Sequence, residues 1–195
     1  LSKRHGALGV QEYRDMGVLP EALFNYLLRL GWGHGDREEI GRDEAIALFD
    51  LAGVGKSPSR FDMKKLLNLN GHYIREADDA RLARLVAEKI GPQADIALLE
   101  RAMPVLKVRA HDVNELADGA AFLFKARPLA LTDQAAALLD AGARPLLSRI
   151  SARLRAENDW TIASLEATLK AMAEELGLGR GKLAQPLRAA LTGQT

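Results

Sequence analysis

Asp78-Asp79-Ala80-Arg81-Leu82-Ala83-Arg84-Leu85-Val86-Ala87-Glu88-Lys89-Ile90 carries the clearest periodicity of the chain. Leu82, Leu85, Val86 and Ile90 recur at steps of three and four, the spacing that gathers side chains on one face of an α-helix. Arg81, Arg84 and Glu88 point elsewhere, so the segment reads as an amphipathic surface helix. The same periodicity fits residues 20–30, 42–51, 132–140, 145–156 and 161–176. Pro20 suits a first helical position, where no backbone N–H is needed. Asp43 and Thr132 precede helix formers and carry oxygens that can cap exposed N–H groups. Gly177 after Leu176 suits a C-terminal cap.

Breakers separate these segments: the glycines of 31–35, the stretch 53–58, Gly91-Pro92, Arg127-Pro128, and the glycines between 177 and 181. Alternating strand patterns are nearly absent. No repeat of fixed period and no low-complexity tail occurs, so neither a regular solenoid nor a disordered linker is expected. The expected fold is all-α, short helices in two or three serial subdomains, with joins near 74–78 and 128–132.

With 195 residues and 48% hydrophobic content, the chain can bury a real core. It has no apolar run of about 18 residues, and the opening LSKRHGALG lacks the apolar core of a signal peptide. A soluble cytoplasmic protein without membrane contact is expected. Cysteine is absent and the histidines, His5, His34, His72 and His111, are scattered, so no structural metal is expected.

The net charge of +1 gives little reason to expect a polyanionic partner, but the local distribution says more. Residues 141–156 hold Arg144, Arg149, Arg153 and Arg155 and no acid; residues 176–195 hold Arg180, Lys182 and Arg188 and no acid; residues 101–111 hold Arg101, Lys107 and Arg109 and no acid. One such cluster is commonly a solvated helix face. Three in the second half of a near-neutral chain point towards nucleic acid. A helical protein-interaction domain, its arginines meeting acidic protein faces, is the alternative.

Spacing rejects the catalytic readings. Gly55-Lys56-Ser57 ends like a phosphate loop, but Asp50 stands where the first glycine belongs, and Gly181-Lys182 has Leu176 there and Leu183 in place of a hydroxyl. Gly31-Trp32-Gly33-His34-Gly35 follows a helix rather than a strand, which excludes a dinucleotide fingerprint. No G-x-S-x-G elbow is present and there is no cysteine nucleophile. Trp32 and Trp160 each sit at a helix junction and read as core anchors rather than base-stacking platforms.

Several blocks in order point to one family. Leu1-Ser2-Lys3-Arg4-His5-Gly6-Ala7, then Tyr13, Gly17-Val18-Leu19-Pro20-Glu21-Ala22-Leu23, Asn25-Tyr26-Leu27 and Leu30-Gly31-Trp32 resemble the bacterial glutamyl-tRNA synthetases. Phe61-Asp62, Lys65-Leu66 and Asn70-Gly71-His72-Tyr73-Ile74-Arg75 resemble that family's F-D-x-x-K-L and N-G-x-Y-I-R blocks. Gln185-Pro186-Leu187-Arg188-Ala189-Ala190-Leu191-Thr192-Gly193 is similar to its P-L-R-x-A-L-T-G signature.

The resemblance implies a class I ligase that attaches glutamate to its tRNA with ATP and magnesium. Ser2, Lys3 and Arg4 would be the remnant of the K-x-S-K-R loop that holds ATP, Lys3 stabilising the phosphates. The upstream domain with the H-I-G-H-type motif and glutamate pocket lies outside the sequence, as do the helices that follow A-L-T-G. A fragment is therefore expected, inactive alone, binding no ATP, meeting glutamate-specific tRNA, and monomeric. The resemblance divides it into 1–75, the loop end and stem-contact region; 76–131, a first anticodon-binding subdomain; and 132–195, a second, truncated one. It assigns anticodon reading to Arg109, Lys170 and Arg188. Lys170 stands where the family has arginine, keeping the charge and losing the planar fork.

Overall fold

The computed structural model describes residues 8–56 and 59–195, and Ser2, Lys3 and Arg4 lie outside them. Among the described residues the regular structure is all helical, apart from a single antiparallel bridge between Trp32 and Val54. None of these helices is long and apolar enough to cross a membrane. The chain forms two compact units that meet in sequence between Phe124 and Lys125.

The first unit holds α1 (Val10–Asp15), α2 (Pro20–Gly31), α3 (Arg42–Leu48), α4 (Met63–Glu76), α5 (Asp79–Ile90), α6 (Ile96–Leu106) and α7 (Val113–Ala120), then one 3-10 turn at Ala121–Phe124. The 78–90 pattern does what its spacing demands. Leu82 and Val86 are fully enclosed, Leu85 and Ile90 lie partly buried at the margin, and α5 packs against α6 and α7. Leu66 and Ile74 of α4, Leu99 and Met103 of α6 and Leu116 of α7 complete the same core. Each such side chain contributes roughly 1.5–3 kcal/mol relative to its exposed state.

The join expected near 74–78 is not a boundary between compact units. Only Ala77 and Asp78 separate α4 from α5, and the Asp78 carboxylate accepts from Arg81 N at 2.8 Å to start the next helix. The short corner puts Ile74 and Leu82 into one core. The join expected near 128–132 lies close to the observed division. Around α3 a satellite cluster holds Trp32, Ile40 and Ala45, with Trp32 Nε1 donating to the Asp50 carbonyl at 3.1 Å, so Trp32 is the anchor its position suggested. Gly41, not Asp43, occupies the cap of α3; Asp43 falls in the first turn, where a carboxylate favours the positive end of the helix dipole.

The second unit holds α8 (Asp133–Leu138), α9 (Ala143–Arg155), α10 (Ile162–Glu175) and α11 (Arg180–Thr192). Its core is Ile150, Met172, Ala173 and Leu183, ringed by partly buried leucines including Leu146, Leu154 and Leu187. Thr132 caps α8 as expected, its hydroxyl accepting from Ala135 N at 3.2 Å. Helix α11 ends on Gly193 at φ +76°, whose carbonyl accepts from Thr132 N at 3.0 Å. A Cβ there would lie 2.6 Å from the Ala130 carbonyl oxygen, so the closure requires glycine. Gly181, read as part of a breaker, lies inside the first turn of α11. Trp160 is 66% exposed and anchors no core; its Nε1 bonds the Glu157 carbonyl at 3.1 Å in the α9–α10 connection.

Candidate functional site

Arg109 sits on the turn between α6 and α7, and that turn is clamped from several sides. Lys107 Nζ lies 2.6 Å from Asp79 Oδ1 and donates to the Ala77 carbonyl at 3.1 Å. His111 N donates to Glu115 Oε2 at 2.7 Å while Glu115 N donates to the cap residue Asp112 Oδ1 at 2.9 Å, two bonds that tie the turn to the start of α7. Ala110 is buried. Arg109 itself is exposed and makes no ion pair or side-chain hydrogen bond among the described residues. A free guanidinium on an anchored turn can stack on a base or fork onto its edge without first breaking a bond.

Two buried polar side chains hold the surroundings, and sequence reasoning passed over both. Asn70 is fully enclosed: its Oδ1 accepts from Leu19 N at 2.8 Å, and its Nδ2 donates to the Gly17 carbonyl at 3.2 Å and the His111 carbonyl at 2.7 Å. Asn25, equally enclosed, accepts from Ile40 N and from the Tyr73 hydroxyl at 3.0 Å, and donates to the Glu38 carbonyl at 2.9 Å. Tyr73 thus packs inward, and burial, then the charges of Glu39, Glu21 and Glu76, push its phenol up from the ordinary value. Leaving a buried amide partner unbonded costs about 1–3 kcal/mol, so these residues fix geometry as well as fill space. The signal was the dipeptide Asn70-Gly71 inside an apolar helical pattern, where a polar residue on the inner face demands partners.

The turn at 15–18 docks beside the start of α7. Val113 N donates to the Gly17 carbonyl at 3.0 Å and Asn114 Nδ2 to the Asp15 carbonyl at 3.0 Å. Gly17 adopts φ +81°, and a Cβ there would stand 2.7 Å from Val113 N. A groove of about 910 Å³ in this unit is lined by Leu19, Leu23 and Leu27 and does not include Arg109. His72 has both ring nitrogens occupied, Nδ1 at 3.2 Å from Glu39 and Nε2 at 3.2 Å from Glu76. That arrangement pins α4 to the 39 region and offers no nucleophile–base pair.

In the second unit Lys170 and Arg188 lie on neighbouring helices, α10 and α11, which pack together. Arg188 is exposed and without an ion pair among the described residues, and Thr192 Oγ1 donates to its carbonyl at 2.8 Å. Lys170 lies 3.9 Å from Glu174 and, with Glu166 and Arg180, lines an open groove of about 490 Å³. Arg153 meets Glu175 at 3.8 Å, whereas Arg144, Arg149, Arg155 and Lys182 form no ion pair among the described residues. The α9–α10 connection is tied by Thr168 donating to Glu157 at 2.6 Å, a bond that, with the Asp159 N–H, holds the Glu157 carboxyl below its ordinary value.

Against known proteins, residues 81–195 match a family model described as the anticodon binding domain, and residues 1–68 match one described as the catalytic domain of class I tRNA synthetases (E and Q). Asn70 falls between the two matches. The chain is 72% identical to "Glutamate--tRNA ligase 1" of Erythrobacter litoralis, over 100% of this chain and 41% of that protein. It is 65% identical to "Glutamate--tRNA ligase 2" of Novosphingobium aromaticivorans, over 100% and 42%. A crystal structure of a glutamate tRNA ligase from Elizabethkingia meningosepticum in complex with its amino acid superposes with TM-score 0.79 at 25% identity, covering 100% of this chain and 43% of that one. The chain thus spans about two-fifths of the length of these relatives.

Proposed function

The chain belongs to the anticodon binding domain family, and we propose that it is the tRNA-gripping part of a glutamate–tRNA ligase, an enzyme that joins glutamate to its tRNA with ATP. The match of residues 81–195 to the anticodon-binding model carries this reading, because Arg109, Lys170 and Arg188 all fall inside it. Arg109 and Arg188 read anticodon bases, each a guanidinium without an ion pair among the described residues and exposed on an ordered element. Lys170 adds a point charge without the fork and contributes less to base choice. Residues 8 to about 75 contact the inner stem, and the acid-free clusters of the second unit meet phosphates.

The ligase chemistry belongs to sequence beyond this chain. Ser2, Lys3 and Arg4 complete the ATP loop there, a cation pair neutralising phosphate charge as glutamate is activated. Magnesium accompanies the ATP, and the protein acts as a cytoplasmic monomer.

Binding of the chain to a glutamate-tRNA anticodon stem-loop, and to loops with altered anticodon bases, across a salt series tests the reading. A cognate preference of about tenfold, roughly 1.4 kcal/mol, that Arg109→Ala erases supports it. Equal binding to every RNA, all of it removed by salt, rejects the anticodon assignments and leaves only an electrostatic footprint.

A further inference from the structure

We infer that Asn70 is a positioning residue: its enclosed amide, rather than the packing around it, places the turn that carries Arg109 and so sets the anticodon preference. The inference rests on the RNA-reading role proposed for Arg109, and goes beyond it by naming what aims that side chain.

Three bonds from one amide reach the turn before α2 twice and the turn before α7 once. Gly17 and Leu19 lie in the stretch matched by the catalytic-domain model, His111 in the stretch matched by the anticodon-binding model, and Asn70 in neither. The amide therefore joins segments of two families inside one compact unit. His111 is two residues from Arg109, so a shift of its carbonyl moves the guanidinium's attachment point. Lys107 holds the other flank through Asp79 and Ala77. Between these two anchors Arg109 has no side-chain bond of its own among the described residues to correct its aim.

The neighbouring residue tightens the fit. A Cβ on Gly71 would stand 3.0 Å from His111 Nδ1 and 3.4 Å from the Ala110 carbonyl oxygen, so α4 presents an amide and a bare backbone patch side by side to the Arg109 turn. A leucine at 70 would restore the volume and none of the bonds. An aspartate would keep the acceptor for Leu19 N and lose both donors.

The test compares the chain with Asn70→Leu, Asn70→Asp and a core control, Val86→Ala, each checked for folding by circular dichroism. Affinities are measured for the cognate and altered anticodon stem-loops across salt. Asn70→Leu is expected to reduce the preference from about tenfold to under about twofold, with the salt slope unchanged because phosphate contacts are untouched. Val86→Ala is expected to melt earlier and keep its preference, as any loss of stability alone would. Asn70→Leu combined with Arg109→Ala should lose no more than Arg109→Ala alone. A folded Asn70→Leu that retains the full preference overturns the inference; if that variant does not fold, a folded Asn70→Asp with full preference does the same. A wild-type chain without preference overturns the anticodon reading itself.

Discussion

The unit that ends at Phe124 and the unit that begins at Lys125 are built in opposite ways from the same helical material. Among the described residues, the first gathers 18 buried apolar residues into one core and threads it with two enclosed asparagines. The second rests on four. Charge runs the other way: the first has 17 lysines and arginines against 19 acids, net −2, and the second 10 against 7, net +3. A deep core with buried amides fixes where a side chain points. A thin framework that displays cations attracts a polyanion and tolerates small errors of placement, because phosphate contacts need proximity more than orientation.

The largest expected effect would break that contrast outright if it failed. Ile150→Ala removes one of four core residues in the second unit, at a cost of about 2–5 kcal/mol. Hydrogen exchange should then show α9, α10 and α11 losing protection while α4 to α7 keep theirs. Protection lost across all eleven helices would mean the two units unfold as one.

Gly17→Ala probes the geometric side. Left-handed backbone costs an alanine about 1–2 kcal/mol, and the added carbon must also displace Val113 N from 2.7 Å. A loss of roughly 2–3 kcal/mol in urea unfolding of the first unit is expected from these terms together. Gly177→Ala, at φ +62° with open space around it, should show the backbone cost alone. Equal losses would show that the contact with α7 contributes nothing.

The smallest effect concerns Glu21 and Arg81, which form a bidentate pair between α2 and α5, one bond at 3.0 Å. Burial raises the Glu21 carboxyl, but the hydrogen bonds and charge of Arg81 outweigh it and hold the group below its ordinary value. Its stabilisation is therefore present above the ordinary carboxylate range and lost as pH falls through the lowered value. Both side chains are about a third exposed, so Glu21→Gln should cost no more than about 1 kcal/mol near neutrality. The difference from wild type should vanish on acidification. A difference that persisted in acid would assign the effect to packing.

Much of the helix inventory was legible because periodicity records one face at a time. The 78–90 pattern, the Thr132 cap and the Pro20 start are local signals, and the structure keeps them. Pro104 and Pro186 lie inside α6 and α11, helices that the periodicity did not single out; in α11 the ring of Pro186 is itself buried, which offsets a lost backbone bond. Trp160 read as an anchor because large aromatics usually are, yet its ring is exposed and lies outside the core of the second unit. Of the candidate site, the cations were visible as charges. Asn70 was visible only as a letter in a block, since its partners lie 41 to 53 residues away.

The division at 124/125 falls inside one family match, whereas the gap between matches, 69–80, falls inside a packed core. Anyone building hybrids of this chain faces that mismatch directly. A splice at the corner between α4 and α5 would join foreign halves across Ile74, Leu82 and the Asn70 amide, and every one of those contacts would have to be rematched. A splice at 124/125 would hand over each core intact, so the interchangeable part of this molecule is the basic bundle from residue 125 onward, and Arg109 would stay with the host.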